Sequence, residues 1–119
     1  MAERSELEPA VVVGKAYDFL LWLLPKAEKF PRSFRFTVGE RLVSNGLDLL
    51  LALVEAAYSA RKGELLETAS RKTNGVRYLL RLSKDLRLVS MDGYAFASGK
   101  LEEIGRMVGG WQKSLRVRQ

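Results

Sequence analysis

The chain has no cysteine and no histidine among its 119 residues. The lack of cysteine excludes a disulfide framework, a thiolate nucleophile and cysteine ligands for a metal. The lack of histidine removes the Ser-His-Asp triad, the most frequent general base and a frequent zinc ligand. Most catalytic arrangements are therefore unavailable, and we expect no enzymatic activity, no catalytic residue, no metal site and no cofactor.

Long uninterrupted apolar runs are also missing. The longest apolar stretch, residues 11–24, is interrupted by Gly14, Lys15 and Asp18, whereas a membrane-spanning helix needs about 20 predominantly apolar residues. The first residues are polar and lean acidic, unlike the basic start of a secretory signal peptide. We therefore expect a cytoplasmic protein that does not bind membranes.

What the chain does have is a surplus of positive charge on a length that suits one domain. Lysine and arginine number 20 and aspartate and glutamate 14, which gives a net charge of +6. Such a surplus favours an anionic partner without identifying it. We expect residues 1–119 to form a single domain, with flexible ends at residues 1–9 and 117–119.

Four apolar-rich segments follow one another along the chain. Proline, glycine and polar clusters separate them, and none sustains the apolar/polar alternation of a strand. Each segment is instead long, rich in leucine and alanine, and patterned at helical spacing. The sequence therefore predicts an all-α fold, an up-down antiparallel four-helix bundle. The predicted helical segments are residues 10–30, 37–60, 63–87 and 91–116.

Local signals predict how these helices begin and end. Pro25 lacks the N–H of an interior helical hydrogen bond, so it is expected to end or kink the first helix. Thr37, with Glu40 three residues later, matches a capping box at the start of the second helix. Asn74 and Gly75 both disfavour helix interiors, so they predict a kink or a local break in the third helix.

The positive charge is concentrated on the third segment. Between residues 61 and 88, eight basic and three acidic side chains give a net charge of +5. Like charges four residues apart on a helix repel, so anion binding explains a line of one sign better than the alternative of a solvated face. The expected core face of this helix centres on Leu65, Leu79, Leu82 and Leu86. We define the basic ridge as Arg77, Arg81, Lys84 and Arg87, with Arg71 and Lys72 as further candidates for binding.

A second stretch combines basic and aromatic residues. Residues 29–36 alternate three basic side chains with three phenylalanines. Basic side chains can contact the phosphates of single-stranded nucleic acid, and aromatic rings can stack on its nucleobases. The alternative, which we favour, is a connection whose phenylalanines pack against one end of the bundle.

Apolar surface on the second segment exceeds what one bundle needs. Around Leu50 the helix is apolar over an arc of about 100° on either side, which indicates either another subunit or deep burial within one bundle. Val11 and Trp22 fall on the polar side of the first helix, where Trp22 is either a half-covered aromatic or a subunit contact. The candidate residues of a subunit interface are Val11, Trp22, Leu66 and Leu80.

Three blocks of the sequence resemble the accessory variability determinant (Avd) proteins of diversity-generating retroelements. The first and longest is DFLLWLLPKAEKFPRSFRFTVGERL at residues 18–42. The others are LLRLSKDL at residues 79–86 and IGRMVGGWQKSL at residues 104–115. Together they cover close to half of the chain. A more distant resemblance is to the four-helix-bundle family encoded in intervening sequences of large ribosomal RNA genes.

The Avd resemblance implies a four-helix bundle that assembles into a homopentameric barrel and has no catalytic activity of its own. It also implies a partnership with the retroelement's reverse transcriptase, in which the protein helps to handle template-repeat RNA during mutagenic retrohoming. The basic ridge, with Arg71 and Lys72, is then expected to contact the reverse transcriptase and RNA or DNA, the nucleic acid mainly through its phosphates and with weak sequence specificity. The alternatives are a purely structural oligomer and a bundle associated with ribosomal RNA.

Overall fold

Four long helices make up most of the computed structural model, which describes the backbone of residues 2–118 and the side chains of residues 9–116. No strand occurs among these residues, so the predicted all-α fold of four helices is confirmed. The prediction that residues 1–9 and 117–119 are flexible is not tested, because nearly all of these residues lie outside the range whose side chains are described. The long helices are α1 (Ala2–Glu28), α2 (Glu40–Tyr58), α3 (Lys62–Asp85) and α4 (Met91–Arg118), and a single helical turn, Arg32–Phe34, lies between α1 and α2.

Each helix packs on the next, and α4 returns to pack on α1. Along α1, Lys15 forms an ion pair of 2.7 Å with Glu103, and Trp22 lies further on, against Phe96 at 5.6 Å between ring centroids. The numbers rise along α1 as they fall along α4, so these two helices are antiparallel. The hydrogen bond from Lys15 holds the pKa of the Glu103 carboxyl below its ordinary value.

One continuous apolar core joins all four helices, and Leu66 and Leu80 belong to it. Both leucines on α3 are covered by neighbouring helices of their own chain, with exposed fractions of 0% and 1%. The prediction that they lie at a subunit interface is therefore wrong, since neither presents a surface to a second copy. In the described part of the chain, no helix is both long enough and apolar enough to cross a bilayer.

Gly46 lies where α1 and α2 approach each other closely. A Cβ atom added at this position would lie 2.8 Å from Cδ2 of Leu20 and 3.2 Å from Cδ2 of Leu23. These distances are shorter than ordinary van der Waals contact between carbon atoms, which is about 3.5–4.0 Å. The smallest residue thus lets α1 pack its leucines directly on the backbone of α2.

Pro25 does not end the first helix, so the first of the two predicted outcomes, an end at this proline, is wrong. Helix α1 continues through it to Glu28. Pro25 lies in the last turn and is exposed, while Ala27 beyond it is buried in the core. Only one turn follows the missing N–H, and the burial of Ala27 against the bundle holds that turn in helical form.

The third helix is continuous through Asn74 and Gly75, so of the two predicted outcomes, a kink or a local break, the break is wrong. On either side of the pair, Thr73 and Val76 are buried in the core. Packing of these two neighbours outweighs the weak helix propensity of an Asn-Gly pair, which costs about 1 kcal/mol relative to better helix formers.

The predicted capping box at Thr37 and Glu40 is wrong as well. Residues Arg35–Gly39 form a short π-helical turn that runs directly into α2, and no side chain caps the start of α2. The Thr37 hydroxyl instead donates to the carbonyl of Phe34 at 3.3 Å. Because a helical turn precedes α2, its first N–H groups find backbone partners and need no cap.

Candidate nucleic-acid interface

The basic ridge lies on the flank of α3 that faces α4.

The predicted core face of α3 is wrong in its position, because Leu82 is 44% and Leu86 39% exposed. The actual stripe is rotated by about one residue and consists of Leu66, Ala69, Thr73, Val76, Leu80 and Ser83.

Two small polar residues account for this rotation. The Thr73 hydroxyl donates to the carbonyl of Ala69 at 2.7 Å, and the Ser83 hydroxyl donates to that of Leu79 at 2.8 Å. Both hydroxyls are therefore satisfied within the helix and can be buried at little cost. A pattern based on leucines alone places these two residues outside the core. The core face predicted from the leucines is therefore rotated away from the core face in the structure.

Arg77 and Arg81 line an open cleft between α3 and α4 that we call the α3/α4 cleft. Its volume is about 330 Å³. Arg77 reaches over the backbone of α4, since a Cβ added at Gly105 would lie 3.7 Å from its Nη1 atom. The lining residues are Asn74, Arg77, Tyr78, Arg81 and Tyr94.

The arginines of the basic ridge carry uncompensated charge. Among the side chains of residues 9–116, none of the five ion pairs involves Arg77, Arg81 or Arg87. All three are exposed. A guanidinium group offers five N–H donors in a planar fork that matches phosphate and carboxylate oxygens. Ion pairs among the described side chains therefore do not neutralise the charge of these three arginines.

Lys84 is partly engaged by its own neighbours. Its ammonium lies 3.4 Å from the carboxylate of Asp85 and 4.6 Å from the centroid of the Tyr94 ring. The second distance is that of a cation–π contact. Lys84 thus contacts Tyr94, which lines the α3/α4 cleft, and shares its charge with Asp85.

Arg87 lies just after α3, in the connection to α4. Its backbone is left-handed, with φ at 63°, and its N–H donates to the carbonyl of Lys84 at 2.9 Å. The turn directs the chain back toward α4 and leaves the Arg87 side chain exposed at the end of the basic ridge.

The structure does not bring Arg71 and Lys72 into the α3/α4 cleft. Lys72 lies on the opposite flank of α3, where it pairs with Asp48 of α2 at 3.2 Å and donates to the Asn45 side chain at 3.1 Å. Arg71 is exposed and faces Glu67 at 3.9 Å. Lys72 thus ties α3 to α2, and both residues are less available to a partner than the arginines of the basic ridge.

Sequence patterns alone missed three residues of the cleft: Asn74, Tyr78 and Tyr94. Residues 74, 77, 78 and 81 have the spacing i, i+3, i+4 and i+7, which places them on one helix face. That spacing was the available signal for Asn74 and Tyr78. Tyr94 belongs to α4 and had no such signal, because its position beside α3 depends on how the two helices rotate against each other.

The connection at residues 29–36 is only partly packed. Phe30 is buried in the core, as the packing alternative predicts, whereas Phe36 is 63% exposed. The Arg35 guanidinium lies 5.9 Å from the Phe36 ring centroid, and its Nε–H donates to the carbonyl of Phe30 at 3.4 Å. One exposed aromatic with one basic neighbour therefore remains at this end of the bundle.

An apolar surface covers the outside of α1 and α2, and we call it the α1/α2 face. It explains the wide apolar arc of α2, since its outer residues are exposed instead of deeply buried. Leu24 and Val43 line one groove of about 450 Å³ between the two helices, together with the charged side chains of Glu28, Arg35 and Glu40. The exposed apolar residues of the face are Tyr17, Leu21 and Leu24 on α1 and Leu47, Leu51, Val54 and Tyr58 on α2.

Trp22 packs mainly within its own chain. Its ring lies 6.1 Å from that of Phe19 and 5.6 Å from that of Phe96, with the Lys26 ammonium 5.8 Å from its centroid. It is half-buried, so part of its surface stays open, and its assignment to a subunit interface stays a prediction. Val11 is exposed on the surface of α1.

Comparisons with known proteins agree with this architecture. The bAvd-like family matches residues 10–115 of the chain. A solved structure of a protein of unknown function, from the S23 ribosomal protein family of Bacteroides thetaiotaomicron VPI-5482, superposes with a TM-score of 0.82 at 16% identity. The match covers 89% of this chain and 98% of that one, and at this identity it shows a shared fold. No curated protein shows significant sequence similarity to the chain.

Proposed function

Because the chain belongs to the bAvd-like family, we propose that it is a non-catalytic accessory protein of a diversity-generating retroelement. It binds the reverse transcriptase and the template RNA or DNA, and so supports mutagenic retrohoming. The observation that carries the proposal is a set of exposed guanidinium groups that form no ion pair among the described side chains: those of Arg77 and Arg81 on one flank of α3 and that of Arg87 just beyond its end.

Nucleic acid is bound chiefly through its phosphates. The arginines of the basic ridge offer forked donors to phosphate oxygens, and the ridge follows the surface of a bundle instead of projecting a helix for insertion into a groove. Phosphate contacts set position but carry no sequence information. Binding is therefore sensitive to salt and nearly independent of sequence.

The reverse transcriptase meets the same flank of α3 through acidic side chains. Arginine pairs with carboxylates in the bidentate geometry that it uses for phosphates, so one basic surface suits both partners. Most of the chain's net charge of +6 comes from the stretch around α3, which favours rapid association with an oppositely charged surface.

Self-assembly, as a homopentamer, uses the α1/α2 face with a second copy of the chain as its occupant. The exposed rows on α1 and α2 follow three- and four-residue spacing, which is the pattern of helices that pack against one another. Charged side chains border the face at one end, where Glu28, Arg35 and Glu40 also line the groove between the helices. Copies that each carry +6 repel at a distance, so they are expected to meet through this apolar face and leave the basic ridge outside.

The salt dependence of binding tests the proposed function. On a logarithmic plot, the affinity for single-stranded RNA should fall with salt at a slope of about −2 or steeper, because the three unpaired arginines of one protomer each displace counterions. Filter retention of labelled RNA across a salt series measures the slope. A purely structural oligomer predicts no retention at physiological salt, and a flat dependence would contradict phosphate-led binding.

A further inference from the structure

Two tyrosines stand beside the arginines of the α3/α4 cleft, and phosphate binding alone gives them no role. Tyr78 is 72% exposed, although a large aromatic ring normally gains stability by burial. Tyr94, on α4, lines the same cleft and has the Lys84 ammonium against its ring. An exposed ring next to unpaired guanidinium groups is the combination that proteins use to bind unpaired bases.

The four α3 residues of the cleft form one compact patch. On α3, Tyr78 lies three residues from Arg81 and four from Asn74, so the Cβ atoms of these pairs are about 5–6 Å apart. Arg77 lies four residues from Arg81 and lines the same cleft. Asn74 adds both a hydrogen-bond donor and an acceptor at the rim.

We infer that the α3/α4 cleft binds one unpaired nucleotide of a single-stranded nucleic acid, with its base stacked on Tyr78 and its phosphate held by Arg77 and Arg81. The inference rests on the proposed nucleic-acid binding and adds a preference for single strands to it. In a duplex the faces of the bases are already covered by their neighbours, so Tyr78 has no surface on which to stack.

Removal of the Tyr78 ring should weaken single-strand binding selectively. For Tyr78→Leu we expect an affinity for single-stranded RNA about tenfold lower than that of the wild type, since stacking on one aromatic ring contributes at this level. The affinity for a duplex of the same sequence should change less than twofold. Tyr78→Phe keeps the ring and should bind single strands like the wild type. Fluorescence anisotropy with labelled oligonucleotides measures these affinities for the wild type and both variants.

Phe36→Leu is the matched control, since Phe36 is also an exposed ring beside an arginine but lies at residues 29–36. It should leave both affinities unchanged. A selective loss of single-strand binding in Phe36→Leu but not in Tyr78→Leu would move the stacking site to that connection and overturn the inference. Equal losses for single strands and duplexes in Tyr78→Leu would do so too, because they would indicate a general effect on the surface.

A free nucleotide offers the same chemistry as one residue of a strand. A tenfold excess of uridine monophosphate over the RNA should leave RNA binding intact, because it lacks the neighbouring phosphates that the rest of the basic ridge contacts. Displacement of the RNA would assign the cleft to a small molecule instead. Failure of the wild type to bind any RNA would refute the proposed function itself, whereas unchanged binding by Tyr78→Leu would refute only the stacking site.

Discussion

The double substitution Arg77→Glu/Arg81→Glu is expected to abolish nucleic-acid binding and co-purification with the reverse transcriptase. Each change replaces a positive charge by a negative one, at the first two residues of the basic ridge, so phosphates and carboxylates are repelled where they were attracted. We expect the RNA affinity to fall at least a hundredfold near physiological salt, since two phosphate contacts are lost and two repulsions gained. Pull-down with tagged reverse transcriptase and gel shift with labelled RNA measure the two losses.

The fold should survive this double substitution. Both arginines are exposed and neither belongs to an ion pair among the described side chains, so circular dichroism should report an unchanged helix content. Lys29→Glu/Arg32→Glu makes the same change in net charge at two exposed positions of the other basic stretch. If this control variant loses binding while the ridge variant keeps it, the interface lies at residues 29–36 and the assignment to the basic ridge is wrong.

Leu21→Glu/Leu51→Glu is expected to convert the assembly into monomers. Both leucines are more than half exposed in the single chain, at 62% and 61%, so the substitutions should not unfold the bundle. In the assembly they would place unpaired carboxylates in an apolar contact, and the desolvation of each charge costs several kcal/mol. Size-exclusion chromatography with light scattering should show one subunit mass for the variant and a multiple of it for the wild type.

Met91→Glu is the matched control for assembly. Met91 is likewise an exposed apolar residue, but it lies at the start of α4 and is not one of the residues of the α1/α2 face. It should keep the wild-type mass. A wild type that is monomeric at micromolar concentration, or a control that dissociates as readily, would contradict the assigned face. Loss of assembly should also lower the RNA affinity, since linked copies bind one strand with avidity.

The existence and order of the helices could be predicted from the sequence, because leucine and alanine recur at helical spacing over long stretches. Local signals were less informative, since they report propensity and not packing. Pro25 remains inside α1, and the helix continues through Asn74 and Gly75. In each case burial of neighbouring side chains outweighs a local cost of about 1–3 kcal/mol.

The candidate site could be predicted in part. Its charge could be found, because Arg77 and Arg81 form a line of one sign on α3. Its shape could not, because the buried Thr73 and Ser83 rotate the core face of α3 away from the expected leucines. That rotation turns the basic ridge toward Tyr94, a contact between residues distant in sequence, for which a single helical pattern contains no information.

The most direct test of the basic ridge is to locate bound RNA on the protein surface. Single-stranded RNA containing 4-thiouridine can be cross-linked by light to the wild-type protein at a salt concentration at which it is retained, and the modified peptides identified by mass spectrometry. Binding in the α3/α4 cleft predicts cross-links at Tyr78 and Tyr94, in peptides from α3 and the first turns of α4. Cross-links confined to residues 29–36 or to the α1/α2 face would contradict it.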